Sequence, residues 1–327
     1  MVSLSLACGP YDRTLPLIDG RVRAEGIELS GLALPAEEIF HRTVSHREFD
    51  VSELSLSTYL LTLERGAPFV AIPVFLSRAF RHSGIYVNAA AGIARPEDLV
   101  GRMVGVPEYQ MTAAVWIRGI LAEFHGVAVD SVRYRTGGLY TPGRSEKIPI
   151  HVPGIDIQPV EPDRTLGELL VEGRLDAIYA PRSPREFSAG DPRIVRLFPD
   201  ARAAETEYFR RTGIFPIMHT AVIRRDVYER DRWLAQSLTK AFGAAKDLAV
   251  AALLEAGAPA ATLPFADREV EELLELMGRD YWPYGIEANR RTLETLVRYE
   301  YEQGLIPRPY PLEELFAPET LGAGYAV

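Results

Sequence analysis

Three groups able to carry positive charge, Arg78, Arg81 and His82, stand within five positions in the stretch "FLSRAFRHSGIYVN", between the apolar runs "FVAIPVF" and "GIYV". Guanidinium is a rigid planar fork that matches a carboxylate two-prongedly, and imidazole changes charge near neutral pH. Together they suit a small anion with a proton source beside it. The same chemistry recurs elsewhere. Arg13 lies in "YDRT", Glu53 in "SELSLSTY", Tyr109, Gln110 and Thr112 in "EYQMTAAVW", Arg182 in "APRSP" and His219 in "FPIMH". Glu53, His82 and His219 also offer a carboxylate and two imidazoles, a ligand set for a divalent metal, although no H-E-x-x-H spacing occurs. Some of these residues have quieter readings. Arg13 beside Asp12 also reads as a surface pair, His82 and His219 as hydrogen-bonded structural histidines, and Ser55 and Ser57 as helix caps.

Composition narrows the partners. The net charge of −9 argues against nucleic acid. Lys147, Lys240 and Lys246 are the only lysines, and neither a P-loop nor a G-x-G-x-x-G fingerprint occurs, so no organic cofactor is expected. Cys8 is the sole cysteine, which excludes an intrachain disulfide and a thiolate-rich metal site. The segment "MVSLSLACG" has neither a basic start nor an apolar core of signal length, and no run of eighteen apolar residues occurs. The chain is expected to be cytoplasmic, without membrane or nucleic-acid partners.

The elements that position these residues follow from periodicity. A length of 327 residues suits two domains. "SLSLA", "GIELSGL", "FDVSELS", "FVAIPVF" and "GIYVN" read as strands, separated by helices over 36–45 and "LSTYLLTLERG", a rhythm that implies a largely parallel sheet. The rhythm restarts near residue 100 with strand "RMVGVPEY" and amphipathic helix "QMTAAVWIRGILAEFHG", closed by Gly126. Strand "GIDIQPV", a helix "RTLGELLVEGR" capped by Asp163, and strand "LDAIYAP" follow. "FPIMHTAVIRRD" reads as a strand returning to the first domain, and the remainder is helical. The expected architecture is an α/β, two-lobed type II periplasmic-binding-protein-like fold with a central cleft and a helical C-terminal region. Residues 1–102 and 214–327 form the outer lobe, 103–213 the inserted lobe, with hinges near 88–103 and 213–220. Ligands of open α/β sheets bind outside the carboxyl ends of the strands, which is where the candidate residues fall. The helical tail offers surface for a homo-oligomer.

Several segments together resemble one family. "YDRTLPLIDGRV", "IPVFLSRAFRHSGIYVN", "EYQMTAAVWIRGIL", "PGRSEK", "DRTLGELLVEGRLDAIYAPRSP", "TGIFPIMHTAVIRRDVYE" and "WPYGIEANRRTLETLVRYEYEQGL" are similar, in order, to the bacterial 4,5-dihydroxyphthalate decarboxylases. The resemblance implies non-oxidative loss of CO2 from a hydroxylated aromatic dicarboxylate, leaving 3,4-dihydroxybenzoate. It implies a substrate dianion held by Arg13, Arg78 and Arg81, a general acid at His82 or His219, and Glu53 as base with Tyr109 as helper. The departing carboxylate would face an apolar wall such as Trp116 or Phe215. The competing expectation is a non-catalytic solute-binding protein for an aromatic or dicarboxylic acid, using the same arginines purely as a clamp.

Overall fold

The computed structural model describes residues 1–255 and 262–322. Among the described residues eleven strands form two sheets. The strands are β1 (Val2–Cys8), β2 (Ile27–Ala33), β3 (Val51–Ser55), β4 (Phe69–Arg78), β5 (Ile85–Asn88), β6 (Met103–Val106), β7 (Arg133–Thr136), β8 (Ile157–Pro159), β9 (Ala177–Tyr179), β10 (Ile194–Arg196) and β11 (Ile217–Arg224). Two compact units result. One holds Met1–Arg78, Ile217–Leu293 and Tyr310–Val327, and the other Ala79–Pro216 and Glu294–Pro309.

The sheet of the first unit has the order β2-β1-β3-β11-β4. β1 is parallel to β2 and β3, and β11 runs antiparallel between β3 and β4. Every residue of β3 is buried, as is nearly all of β4, and such continuous burial is what strands covered on both faces show. The outer edge of β4 is closed by the end of the chain: Ala71 bridges Phe316, and Ala317 N–H donates to Ala71 O at 2.9 Å. The sheet of the second unit has the order β10-β5-β9-β6-β7-β8. β6 is parallel to β7 and β9, whereas β5 is antiparallel to both its neighbours. Its core gathers Tyr86, Leu166, Leu169, Leu170, Leu175, Ile178 and Ile194.

The chain divides differently from the sequence-based expectation. The crossing points fall at Arg78/Ala79 and Pro216/Ile217, so "GIYVN" is a strand of the second sheet. Most of helix Arg290–Glu302 also belongs to the second unit, because its apolar face packs there. Tyr299 sets its ring edge-on to Trp116 at 5.5 Å, and the Gln303 side chain accepts from Arg118 Nε at 2.7 Å and donates to Val115 O at 2.9 Å. Amphipathicity gives a helix its buried face but does not name the surface that buries it. The helix after Asp163 is capped by Thr165 instead. Its hydroxyl accepts from Glu168 N–H at 3.3 Å, while the Glu168 carboxylate accepts from Thr165 N–H at 3.0 Å. Gly126 closes helix Thr112–His125 in the left-handed conformation, φ 64°.

Two glycines test this packing with opposite signs. A Cβ on Gly119 would stand 2.1 Å from the Tyr299 ring, whereas one on Gly243, inside helix Leu234–Leu253, would meet nothing within 4 Å. Gly119→Ala is expected to destabilise by ~1–3 kcal/mol through overpacking. Gly243→Ala is expected to stabilise by ~0.5–1 kcal/mol by restricting the unfolded chain. Chemical denaturation measures both; equal and small effects would place helix Arg290–Glu302 elsewhere.

Candidate active site

The first sheet brings its chemistry to one edge. β1 ends at Cys8, β3 at Ser55 and β4 at Arg78, all at the carboxyl edge, and antiparallel β11 begins there with Ile217. Register sets His219 opposite Ser55 on one side and Ser77 on the other, and Ile217 opposite Arg78. The β4–β11 ladder shifts register on both sides of His219. Such irregularities re-aim a side chain, and they cluster beside functional sites.

Glu53 is the centre of this edge. It is fully buried. Its Oε1 accepts from His219 Nδ1 at 2.6 Å and from the Tyr11 hydroxyl at 3.0 Å, and its Oε2 accepts from Gly9 N–H at 2.9 Å. Burial pushes its pKa up, but the bonds from His219, Gly9 and Tyr11 outweigh burial, and the net shift is below the ordinary carboxylate value. The ionised carboxylate fixes the tautomer: His219 carries its proton on Nδ1 and presents Nε2. Phe40 packs edge-on to the His219 ring at 4.8 Å. Tyr11 reaches Glu53 by folding back over Gly9, where a Cβ would stand 2.3 Å from the Tyr11 ring. Only glycine allows that approach. Cys8 nearby remains a thiol, its pKa pushed up to about 12, first by burial and then by Glu53.

The arginines divide between the units. In the first unit Arg13 donates to Leu76 O from Nε at 2.8 Å and Nη2 at 2.5 Å, and its guanidinium lies 4.3 Å from the centroids of both the Tyr11 and Trp282 rings. It also pairs with Asp12 at 3.1 Å. Arg13 therefore fastens the Tyr11 loop to β4. Arg78 is buried and donates to Pro283 O at 2.7 Å and to Asn289 Oδ1. Burial draws its pKa down to about 9. In the second unit Arg81 is buried at the start of the turn His82–Gly84, with its pKa drawn down to about 10 by burial against the opposing influence of Glu205.

His82 lies in an aromatic cluster of the second unit, 5.2 Å from Phe198 and 5.3 Å from Tyr208 by ring centroid. No described residue bonds its buried Nδ1. Burial, then His125, draws its pKa down to about 4, so this imidazole is neutral. The metal expectation required Glu53, His82 and His219 as one ligand set. Instead Glu53 and His219 face each other through a hydrogen bond, and among the described residues no three His, Cys, Asp or Glu side chains group as metal ligands. Ser55 does cap its helix, accepting from Thr58 N–H at 3.4 Å, and Ser57 lies in the first turn of that helix.

Tyr109, Gln110 and Thr112 are buried before and at the start of helix Thr112–His125. Sequence reading missed their support. Glu108, almost wholly buried, binds Arg144 Nη2 at 2.5 Å and also Lys147. Glu146 Oε1 accepts from Tyr109 N–H at 2.5 Å. Burial raises the Glu146 pKa to about 7 against that bond. Arg118 lies 3.7 Å from the Tyr109 ring centroid and donates to Tyr109 O. "PGRSEK" carries three of these groups, but no spacing rule marks a loop that folds back on a strand end. Arg182 is exposed and makes no hydrogen bond or ion pair with a described residue. Trp116 is wholly buried core rather than a site wall, and Phe215 stacks beside Phe80 at 4.7 Å.

A curated 4,5-dihydroxyphthalate decarboxylase of Comamonas testosteroni is 40% identical over 322 residues, covering 98% of this chain and 98% of that protein. The chain belongs to the 4,5-dihydroxyphthalate decarboxylase family. A second member, from Pseudomonas putida, is 41% identical over 211 residues, 64% of this chain and 82% of that sequence. No family model matches the chain. Solved structures give the fold. The periplasmic aliphatic sulphonate binding protein SsuA from Escherichia coli superposes with a TM-score of 0.54 at 13% identity, covering 99% of this chain and 100% of that one. The alkanesulfonate-binding protein SsuA from Xanthomonas axonopodis gives 0.53 at 12% identity, covering 97% of each chain. This family member therefore has the periplasmic-binding-protein fold. No helix among the described residues is long and apolar enough to cross a membrane.

Glu53 and His82 both contribute to the acid limb of stability. The folded-state pKa of Glu53 lies below 4.5, so its contribution is full above pH 4.5 and is lost as the pH falls below it. His82 stays neutral in the fold while the unfolded chain takes a proton near pH 6.5, so stability falls from pH 6.5 toward 4, by up to about 3 kcal/mol. His82→Phe, at home among aromatic neighbours, is expected to abolish that loss, so its stability relative to the parent rises as the pH falls from 6.5 to 4, while Glu146, raised to about 7, opposes the loss in both proteins. Glu53→Gln is expected to be less stable at neutral pH and flatter below pH 4.5. Denaturant midpoints across pH 3.5 to 8 measure both, and an unchanged slope in His82→Phe would mean that this histidine is charged in the fold.

Proposed function

We propose that this protein is a carboxy-lyase that converts 4,5-dihydroxyphthalate to 3,4-dihydroxybenzoate and CO2. Family membership carries the substrate, and the Glu53–His219 pair at 2.6 Å carries the chemistry. The reaction needs one proton and no electrons: dianion plus H⁺ gives the monoanion of 3,4-dihydroxybenzoate and CO2. The hydroxyl para to the departing carboxylate pushes electron density to the carbon that bears it. His219, as imidazolium, delivers the Nε2 proton to that carbon. The carbon–carboxylate bond then breaks, its electrons restore the aromatic ring, and CO2 leaves. Glu53 orients the ring through Nδ1, so that Nε2 is the atom that carries the proton to carbon. Tyr11 and Gly9 hold Glu53 ionised.

Arg78 is the proposed anchor for the retained carboxylate. Its buried guanidinium has paid part of its desolvation in advance, and an anion reverses that penalty. Gripping the departing carboxylate equally would stabilise the ground state and slow the reaction. We assign His82 a packing role and Arg13 a fastening role. Arg81, Tyr109, Gln110, Thr112 and Arg182 belong to the second unit and carry no step of this mechanism. The same fold in sulphonate-binding proteins supports the fold alone, and family membership favours the lyase over a solute receptor.

Incubation with 4,5-dihydroxyphthalate is expected to release one CO2 per 3,4-dihydroxybenzoate formed. His219→Asn should lower kcat by ~10²–10⁴ with little change in KM. Arg78→Ala should raise KM by ~10–100-fold with a smaller effect on kcat. Tight binding of the substrate without CO2 release would overturn the reading in favour of a receptor.

A further inference from the structure

The segment Tyr281–Gly285, "YWPYG", is pinned to β4 nearly residue by residue. Trp282 Nε1 donates to Phe75 O at 2.9 Å, Pro283 O accepts from Arg78 at 2.7 Å, and Gly285 N–H donates to Pro73 O at 2.8 Å. Asn289 stitches the far end, donating to Pro283 O at 3.0 Å and Gly285 O at 2.7 Å. Tyr284 makes no such bond. Its side chain is 8% exposed, and no described residue hydrogen-bonds its hydroxyl. The phenol stands in the field of the Arg78 and Arg13 guanidiniums, with Asp12 and Cys8 also near, and its ring has the Lys246 ammonium 5.5 Å from its centroid.

An unanswered buried hydroxyl opposes folding, and phenylalanine would fill the same space without that penalty. Two cationic neighbours make the missing partner an anion: a carboxylate oxygen accepts from the phenol and is attracted by Arg78 at once. We infer that Tyr284 is a substrate-binding residue, donating a hydrogen bond to a carboxylate oxygen of the aromatic dicarboxylate, and this rests on the proposed decarboxylase reading. Burial, ahead of any charge, raises the phenol pKa, so the group stays a donor across the neutral range. Its position on a segment fastened beside Arg78 assigns the contact to the retained carboxylate. Tyr284 therefore affects binding more than the chemical step.

Tyr284→Phe separates a ligand contact from a core defect. Ligand-free variant is expected to melt at the same temperature as the parent or higher. Its Kd for phthalate, an analogue without the ring hydroxyls, should rise about tenfold in calorimetry. With 4,5-dihydroxyphthalate, KM should rise about tenfold while kcat stays within twofold. A phthalate Kd within twofold of the parent, with the parent still releasing CO2, would overturn this inference alone and leave the hydroxyl to a buried water. A lower melting temperature without ligand would also overturn it, since the hydroxyl would then have a partner in the fold. A parent that neither binds phthalate nor turns over 4,5-dihydroxyphthalate would remove the decarboxylase reading itself.

Discussion

The ionised carboxylate of Glu53, held without contact with water, is the constraint around which the first unit is arranged. A buried carboxylate is expensive unless its oxygens are answered. Here three donors answer them, from the end of β1, from the loop that follows it and from β11. Each donor imposes a further requirement. Gly9 must lack a side chain so that Tyr11 can fold back. Tyr11 must be held, which Arg13 does by stacking on its ring and bonding the carbonyl of Leu76. His219 must leave the regular ladder of β11, and the register shifts on either side of it achieve that. Removing one partner of such a pair typically costs ~3–5 kcal/mol because the other charge stays buried. The network is therefore demanding to maintain, and the return is a histidine with a fixed tautomer and a defined direction.

Strand β4 is the second organising device. The irregular pairing with β11 leaves carbonyls of β4 to bond side chains and loops. None of these is wasted. Pro73 O, Phe75 O and Leu76 O accept from Gly285, Trp282 and Arg13, and Thr220 bonds Ile72 O and Val74 O. The strand thus serves as a rail on which two loops distant in sequence, at Tyr11–Arg13 and Tyr281–Gly285, are fixed side by side around Arg78. A more regular strand would have been simpler to pair and would have offered these loops nothing to hold.

Much of this was legible in the residues. Strand and helix positions followed from periodicity, and the fold from the restart of the α/β rhythm near residue 100. Glu53 and His219 were singled out because they sit at strand ends, and their hydrogen bond is what that placement allows. The boundaries were not legible. The crossing at Arg78/Ala79 splits the arginine cluster between units, since a strand such as "GIYVN" has the same pattern whichever sheet it joins. The capping box of Thr165 and Glu168 was present as T-x-x-E, but Asp163 stood closer to the expected start and took the assignment. Glu146, Arg118 and Tyr284 carried no local signal. Their character comes from burial beside groups far along the chain, and burial is a property of the packed molecule.

The comparison with sulphonate-binding proteins sharpens what distinguishes a lyase from a receptor on one fold. A receptor needs donors that match an anion, and buried arginines supply them. Binding both carboxylates of a phthalate equally well would make a good receptor and a poor decarboxylase, because only interactions that strengthen in the transition state lower the barrier. A chain that is to release CO2 must add a proton carrier aimed at carbon and hold its charge state against burial. In the proposed mechanism that addition is small: one histidine lifted out of a ladder and one carboxylate locked behind it. On the proposed mechanism the step from holding an anion to breaking one of its bonds lies in a single pair at the edge of a sheet, and the rest of the first unit is what holds that pair in place.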